Sequence, residues 1–351
     1  MATTIFTGQH PLDLADYRLE AFPLVRLECP GQDNPHSHVQ AVTGAVQAVL
    51  PSLSADLAIV QGDTSSALGG ALAARLAGVP VAHVEAGLRS HDRRRPWPEE
   101  EFRIAIDAEA ELLFAPTELS AINLRRERAR GQIHVTGNTG MDSLVTLRSP
   151  TRPSRDVLPR LLVTCHRREN WGDGVEGVAV ALRQIAAEDL ASIDLVLHPN
   201  RQLAAQIRMM LQGEQAISFR RPCTHAEMID AMLASDLILS DSGGMQEEAA
   251  ALGVPLLVLR DRTERPEAIA CGSIELVGTR PETVVRAVRR WLGSPPATAS
   301  AMPFGDGRAG ERIAEIVEGW LATRSGRWSR RSSEQVSAAY AIQSGGTRST
   351  V

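Results

Sequence analysis

The chain runs to 351 residues, 43% of them hydrophobic and 23% charged, with a formal net charge of -5, a length that fills two cores of ordinary size. The acidic balance disfavours nucleic-acid and membrane-surface roles, which draw on a basic excess to meet phosphates. No apolar run approaches the roughly 20 residues that cross a bilayer, and the first residues lack the basic start and apolar stretch of a secretory signal, so the protein is expected in the cytoplasm.

In chain order, apolar runs of strand length fall at Leu57–Val60, Val79–Val84, Leu112–Ala115, Ile133–Thr136, Leu161–Cys165, Leu195–Leu197, Leu237–Leu239, Leu256–Leu259 and Ile274–Val277. They are continuous rather than alternating, as in strands covered on both faces, and imply parallel sheets flanked by helices: class α/β. Crossover helices are predicted over Ser65–Ala77 and Glu247–Leu252. The prolines of Ser149-Pro150-Thr151-Arg152-Pro153-Ser154 disfavour helix and sheet interiors, which marks a linker and divides the chain into domains at 1–150 and 151–324. A final amphipathic helix is predicted over 309–323, and 325–351, rich in Ser, Arg, Gly and Thr, reads as a disordered tail.

The chain contains no lysine, which removes Schiff-base chemistry and the lysine of a P-loop. Phosphate binding would rest on arginine forks and backbone amides. The four cysteines, Cys29, Cys165, Cys223 and Cys271, are far apart and show no metal-ligand spacing, so they read as reduced thiols, and no metal site is expected.

Charged and glycine-rich motifs recur where strand gives way to loop. Gln61-Gly62-Asp63-Thr64-Ser65-Ser66 follows a buried strand and opens a helix, where ligands of open α/β sheets sit; Asp63 is a catalytic candidate or, equally, a turn or capping residue. Glu85 ends the next strand run at the same sheet edge. Two adjacent carboxylates are costly unless they share a proton, bind a cation or act on substrate, and the competing reading is an ion pair of Glu85 with Arg89 or Arg103. In Pro96-Trp97-Pro98-Glu99-Glu100-Glu101, acids in a first helical turn are also what the macrodipole favours without catalysis.

His166, with Arg167 and Arg168 behind it, follows the strand Leu161–Cys165 and forms a cluster suited to a leaving phosphate, although a lone histidine is more often structural. Asp241-Ser242-Gly243-Gly244 lies between a strand and a helix start, where glycine lets backbone amides approach a phosphate at the positive helix end. Glu248, one turn on, is placed for a ribose diol, and Arg265 follows the next strand toward the same ligand. A plain helix cap would look similar.

Together these segments resemble the bacterial UDP-N-acetylglucosamine 2-epimerase family from about Gly8 to Leu321, on Thr7-Gly8-Gln9-His10, Gln61-Gly62-Asp63-Thr64, His83-Val84-Glu85-Ala86-Gly87-Leu88-Arg89, Pro96-Trp97-Pro98-Glu99-Glu100, Phe114-Ala115-Pro116-Thr117-Glu118, Thr136-Gly137-Asn138-Thr139, His166-Arg167-Arg168-Glu169-Asn170, the Asp241–Glu248 segment, Arg265-Pro266-Glu267-Ala268 and Gly305-Asp306-Gly307. The resemblance implies two Rossmann-like domains facing a cleft in the GT-B arrangement, with UDP held mainly by the second. It implies acid/base work for Asp63, Glu85 and Glu99, stabilisation of UDP by His166 and Arg265, and grip on phosphate and ribose by Ser242, Gly243 and Glu248, with Arg167 and Gly244 beside them. It implies a homodimer acting on a nucleotide sugar, with no cofactor.

The chemistry suits these residue types. C2 of an N-acetylhexosamine has no neighbouring carbonyl at C1, so simple deprotonation there is prohibitive. Loss of UDP from C1 together with the C2 proton gives a glycal, and re-addition with the proton on the other face gives the epimer. That route needs a carboxylate base, a proton donor for the opposite face, and positive groups for the departing diphosphate.

Departures from the pattern set further expectations. Family members usually begin with a strand and a Gly-Thr-Arg-Pro-Glu turn; here the chain opens at what reads as the second strand, short by on the order of 30 residues, half a βαβ unit or more. Gly278-Thr279-Arg280-Pro281-Glu282 spells that turn late in the second domain and reads instead as a helix start over Glu282–Leu292, with Thr279 as cap and Pro281 in the first turn. Pro11, Leu12 and Ala41 stand where a second, regulatory nucleotide-sugar site is found in some members, and Phe102 replaces a common asparagine. The competing functions are a hydrolysing relative that releases N-acetylmannosamine and UDP, a sugar-nucleotide-binding protein with little turnover, and a GT-B glycosyltransferase.

Overall fold

The computed structural model describes residues 2–9, 22–147, 158–165, 167, 170–198, 200–294 and 301–324, with backbone alone at 145–147. The predicted linker, the predicted tail, His166, Arg168 and the Pro11-Leu12 pair lie outside the described residues. Two short strands, β1 (Thr4–Phe6) and β2 (Leu24–Arg26), pair in parallel as a sheet of their own. The next stretch alternates strictly: α1 (Pro35–Leu53), β3 (Ala58–Gln61), α2 (Ser65–Leu76), β4 (Val81–Val84), α3 (Glu99–Glu109), β5 (Leu112–Ala115), α4 (Glu118–Arg126), β6 (Gln132–Val135) and α5 (Thr139–Leu147).

Its four strands lie in the order β3-β4-β5-β6, all parallel. Every residue of β4 and β5 is buried, His83 of β4 included, whereas β3 and β6 at the two ends alternate or stay half-exposed. Short polar side chains start the helices: Asn34 accepts from the amides of His36 and Ser37, Thr64 from Ala67, and Thr117 from Ser120.

The second stretch comprises β7 (Arg160–Thr164), α6 (Asp173–Ala187), β8 (Ser192–Val196), α7 (Arg201–Met210), β9 (Ile217–Arg220), α8 (His225–Leu233), β10 (Leu237–Ser240), α9 (Gly243–Leu252), β11 (Leu256–Val258), α10 (Pro266–Ala270), β12 (Ile274–Leu276) and α11 (Pro281–Gly293). Its parallel sheet runs β12-β11-β10-β7-β8-β9. The chain therefore lays strands outward from β7 on one side and then returns to its other side with β10. The crevice outside the ends of β7 and β10 is a topological switch point, the position where open α/β sheets take ligands.

The class is α/β, as the continuous apolar runs predict. The edge strand β9 falls outside those runs because Ile217-Ser218-Phe219-Arg220 alternates buried with more exposed positions. β8 likewise starts earlier than its apolar core, since Ser192 and Asp194 take the outer face. At α11 the expected cap shifts by one residue: Arg280, not Thr279, occupies the cap position, without a side-chain bond, and Pro281 opens the helix.

Two apolar layers cover the second sheet, one built on Leu161, Leu182, Ile193, Leu239 and Trp291, the other on Leu162, Ile238, Met245 and Ile274. Met141 and Leu144 of α5 belong to the latter layer, so the chain crosses to the second sheet at Gly137-Asn138, where the Asn138 amide donates to the Phe304 carbonyl at 2.6 Å. Gly137 and Gly305 allow that crossing: a Cβ on Gly305 would lie 2.9 Å from the Gly137 Cα. Phe102 turns into the core of the first sheet.

The chain divides into two units, Met1–Ala309 and Gly310–Val351. A last helix, α12, covers 309–324, and within the second unit the Arg324 guanidinium lies 4.5 Å over the Trp320 ring. No helix among the described residues is long and apolar enough to cross a membrane.

Candidate active site

Asp63 stands between β3 and α2, behind the turn that Gly62 makes at φ +70°. The capping alternative falls to its neighbour, because Thr64 Oγ1 accepts the Ala67 amide at 3.2 Å. The Asp63 carboxylate instead meets the guanidinium of Arg103 from α3, whose other arm donates to Glu100 at 3.1 Å. Glu100 also accepts the amides of Ser90 and His91, each at 3.0 Å, so it braces the loop before α3.

Glu85, directly after β4, holds φ +73°, a left-handed conformation that side-chain-bearing residues seldom adopt. Neither ion-pair partner expected from sequence takes its carboxylate. Arg89 is committed to Asp107 at 2.7 Å and to Glu127 at 2.6 Å, and Arg103 to Asp63 and Glu100. Glu85 Oε1 accepts from Arg265 Nη2 of the second half at 2.6 Å. Burial pushes the Glu85 carboxyl up; Arg265 opposes this and Asp63 adds to it.

Glu99 opens α3 and accepts from Arg167 Nη1, also of the second half, at 2.9 Å. Two further atoms of this pair, Glu99 Oε2 and Arg167 Nε, are buried without a hydrogen-bond partner among the described residues. Such orphans are rare in folded proteins and mark a place where a ligand or water belongs. Asp241, directly after β10, accepts the Arg167 amide at 2.8 Å and Asn170 Nδ2 at 2.9 Å, which anchors these two residues.

Arg265 is the hub of the second half. Its Nε donates to Glu247 at 2.5 Å, Nη1 to Glu264 and Nη2 to Glu85. Burial raises the Glu247 carboxyl to about 8 despite Arg265, with Glu85 pushing the same way. Glu264 feels comparable burial, yet Arg265, Arg260, Arg103 and Arg167 outweigh it and hold that carboxyl well below its ordinary range.

Ser242 caps α9, whose first residues are Gly243 and Gly244. The two glycines differ in cause. A Cβ on Gly243 would stand 2.6 Å from Arg265 Nη1 and 3.0 Å from Glu264 Oε1, whereas one on Gly244 would meet nothing within 4 Å. Glu248 is paired with His225 Nε2 at 2.7 Å, and that hydrogen bond raises the imidazole against its partial burial.

Asp63, Glu85 and Glu99 thus line the carboxyl edge of the first sheet, and two of them reach Arg167 and Arg265 at the switch point of the second. Thr117 to Glu267 at 2.5 Å and Arg95 to Asp261 at 2.5 Å span the same divide. Sequence reasoning missed Glu247, Glu264 and His225 as site residues. Glu247 adjoins the chosen Glu248, but which of two neighbouring acids faces the arginine is a matter of helix phase. No group of His, Cys, Asp and Glu able to hold a metal occurs among the described residues.

Residues 1–318 match the family model described as UDP-N-acetylglucosamine 2-epimerase. A UDP-N-acetylglucosamine 2-epimerase of Yersinia pestis is 38% identical over 315 residues, 84% of this chain and 83% of that protein. The crystal structure of UDP-GlcNAc 2-epimerase from Neisseria meningitidis bound to UDP-GlcNAc superposes with a TM-score of 0.80 at 31% identity, covering 87% of each chain. That of the Methanocaldococcus jannaschii UDP-GlcNAc 2-epimerase in complex with UDP-GlcNAc and UDP gives 0.78 at 32% identity, over 90% of this chain and 91% of that one.

Proposed function

Because the chain belongs to the UDP-N-acetylglucosamine 2-epimerase family and has its fold, two Rossmann-like sheets in the GT-B arrangement, we propose that it interconverts UDP-N-acetylglucosamine and UDP-N-acetylmannosamine by elimination and re-addition of UDP. One carboxylate among Asp63, Glu85 and Glu99 takes the C2 proton as the C1–O bond breaks, its electron pair leaving on the diphosphate. The C1–C2 double bond of the glycal results. A proton delivered to the other face of C2 and return of the diphosphate oxygen to C1 complete the inversion.

The observation that carries this reading is the pairing of first-half acids with second-half guanidiniums, Glu85 with Arg265 and Glu99 with Arg167, with buried polar atoms of the latter pair lacking a partner among the described residues. Burial lifts Glu85 toward the range useful for proton transfer near neutral pH. Arg265, Arg167 and the amino end of α9 supply the positive field for the departing diphosphate, and His166 is assigned to the same task. Glu248 is assigned to the ribose, in exchange for His225. The lobes at 1–150 and 151–324, the homodimer and the cytoplasmic location belong to the same reading; light scattering of the purified protein tests the dimer.

Incubation with UDP-N-acetylglucosamine in heavy water tests the reaction, with C2 followed by proton NMR. Deuterium at C2 with intact nucleotide sugar of both configurations is expected. Free N-acetylmannosamine and UDP would establish a hydrolysing enzyme, and binding without exchange would overturn the catalytic reading.

A further inference from the structure

His83 lies in β4, completely buried, two residues before Glu85. Its Nδ1–H donates to Asp107 Oδ1 at 2.6 Å and its Nε2–H to the Gly62 carbonyl at 2.9 Å. Both partners accept: Gly62 offers a carbonyl oxygen, and Asp107 is a carboxyl group whose other oxygen already takes two N–H donors. Both ring nitrogens therefore donate. The second Asp107 oxygen accepts the Gly87 amide at 3.1 Å and Arg89 at 2.7 Å, and Arg89 continues to Glu127.

The two backbone groups held by this pair flank the two central acids. Gly62 precedes Asp63, and Gly87 follows Glu85 by two residues. The Gly62 peptide is gripped twice, as its amide also donates to the Val84 carbonyl at 3.0 Å. Gly62 at φ +70°, Glu85 at +73° and Gly87 at +83° all lie in the left-handed region, so the local chain does not dictate this path and something must hold it. Gly87 is also pressed against α4: a Cβ there would fall 2.3 Å from the Ser120 carbonyl oxygen.

We infer that His83 and Asp107 are positioning residues for the acid pair: their buried contact ties the backbone ahead of Asp63 to the backbone behind Glu85 and so fixes the separation of the two carboxylates. The inference rests on the proposed reaction only for its consequence. A buried ion pair is a weak source of stability compared with apolar packing of the same volume. Precision is what it supplies, since a reacting group displaced by about 1 Å can lose on the order of a hundredfold in rate.

The test combines two variants and one measurement on the unaltered protein. His83→Gln and Asp107→Asn should each lower the rate of C2 exchange at saturating substrate about a hundredfold, with UDP affinity changed less than about twofold, because the nucleotide is held by the other half. The double variant should be little worse than either single one, as for groups acting through one contact. Equal losses in exchange and UDP affinity, or exchange within about threefold of the unaltered enzyme, would overturn the inference. Should the variants fail to fold, nitrogen NMR of the histidine-labelled, unaltered protein decides: a hydrogen on each ring nitrogen of His83 is expected, and a lone pair on either one removes the tie. If the unaltered protein shows no C2 exchange at all, the proposed reaction fails while the NMR result still judges the pair.

Discussion

Glu85 and Arg265 stand 180 positions apart in sequence and 2.6 Å apart in space. The proposed base is thereby masked by the proposed diphosphate ligand, and a nucleotide that claims Arg265 must first displace Glu85. Glu85→Gln, which removes the competing charge, should bind UDP about tenfold more tightly than the unaltered enzyme, and Arg265→Gln should bind it at least about tenfold more weakly. Isothermal titration calorimetry reads both. A Glu85→Gln affinity equal to or below that of the unaltered enzyme contradicts the competition.

Removal of any one acid should be felt in chemistry rather than in folding. Asp63→Asn, Glu85→Gln and Glu99→Gln should each slow deuterium entry at C2 by roughly a hundredfold or more. Unaltered exchange in all three would withdraw the acid/base assignment.

Glu247 sets a pH signature. Its carboxyl is raised by burial from 4.5 to about 8 in the folded protein, so the folded state binds that proton more tightly than the unfolded state. Stability should therefore fall as pH rises between these values, on the order of 1 kcal/mol per unit, and level off above. Glu264, held low, works below this window, its contribution being lost only as pH falls through its folded value. His225, raised by Glu248, contributes equally to both proteins compared. Urea unfolding of the unaltered protein and Glu247→Gln from pH 5 to 8 should give diverging curves; parallel ones refute the assignment.

The two glycines at the start of α9 should separate. Gly244→Ala meets nothing in the fold and should gain roughly 0.5–1 kcal/mol in stability, as alanine does in helices. Any loss of UDP affinity then reports ligand contact with that amide. Gly243→Ala drives a methyl into the Arg265–Glu264 contact and should lose both stability and affinity. Thermal melts and calorimetry distinguish the pair.

Glu248→Gln should remove the carboxylate charge from the contact that raises His225, so its NMR titration should move to lower pH. The same change should weaken UDP binding by about tenfold with a smaller effect on turnover, if the carboxylate grips the ribose in substrate and transition state alike. An unmoved titration would mean that the His225–Glu248 contact is not kept in solution.

By itself the sequence determined the α/β class and the positions of the strands in the two larger sheets other than β9, because burial on both faces of a parallel sheet demands apolar runs such as Leu112–Ala115. It also placed the candidate acids on one edge. Asp63 and Glu85 follow strands, and parallel strands present all their carboxyl ends on one edge. Strands whose burial alternates, β9 above all, carry no such run and emerged only from pairing.

The pairing of charges was decided by the tertiary structure alone. Local pattern places Glu85 at a strand end; it does not tell that Arg89 and Arg103 are already spent on Asp107 and Asp63, nor that Glu247 rather than Glu248 turns to Arg265. Such choices depend on side-chain geometry between segments more than a hundred positions apart in some cases, and an ion pair leaves no periodic trace in either segment. Contact between Glu85 and Arg265 exists because two sheets, each legible on its own, set their carboxyl edges against one another.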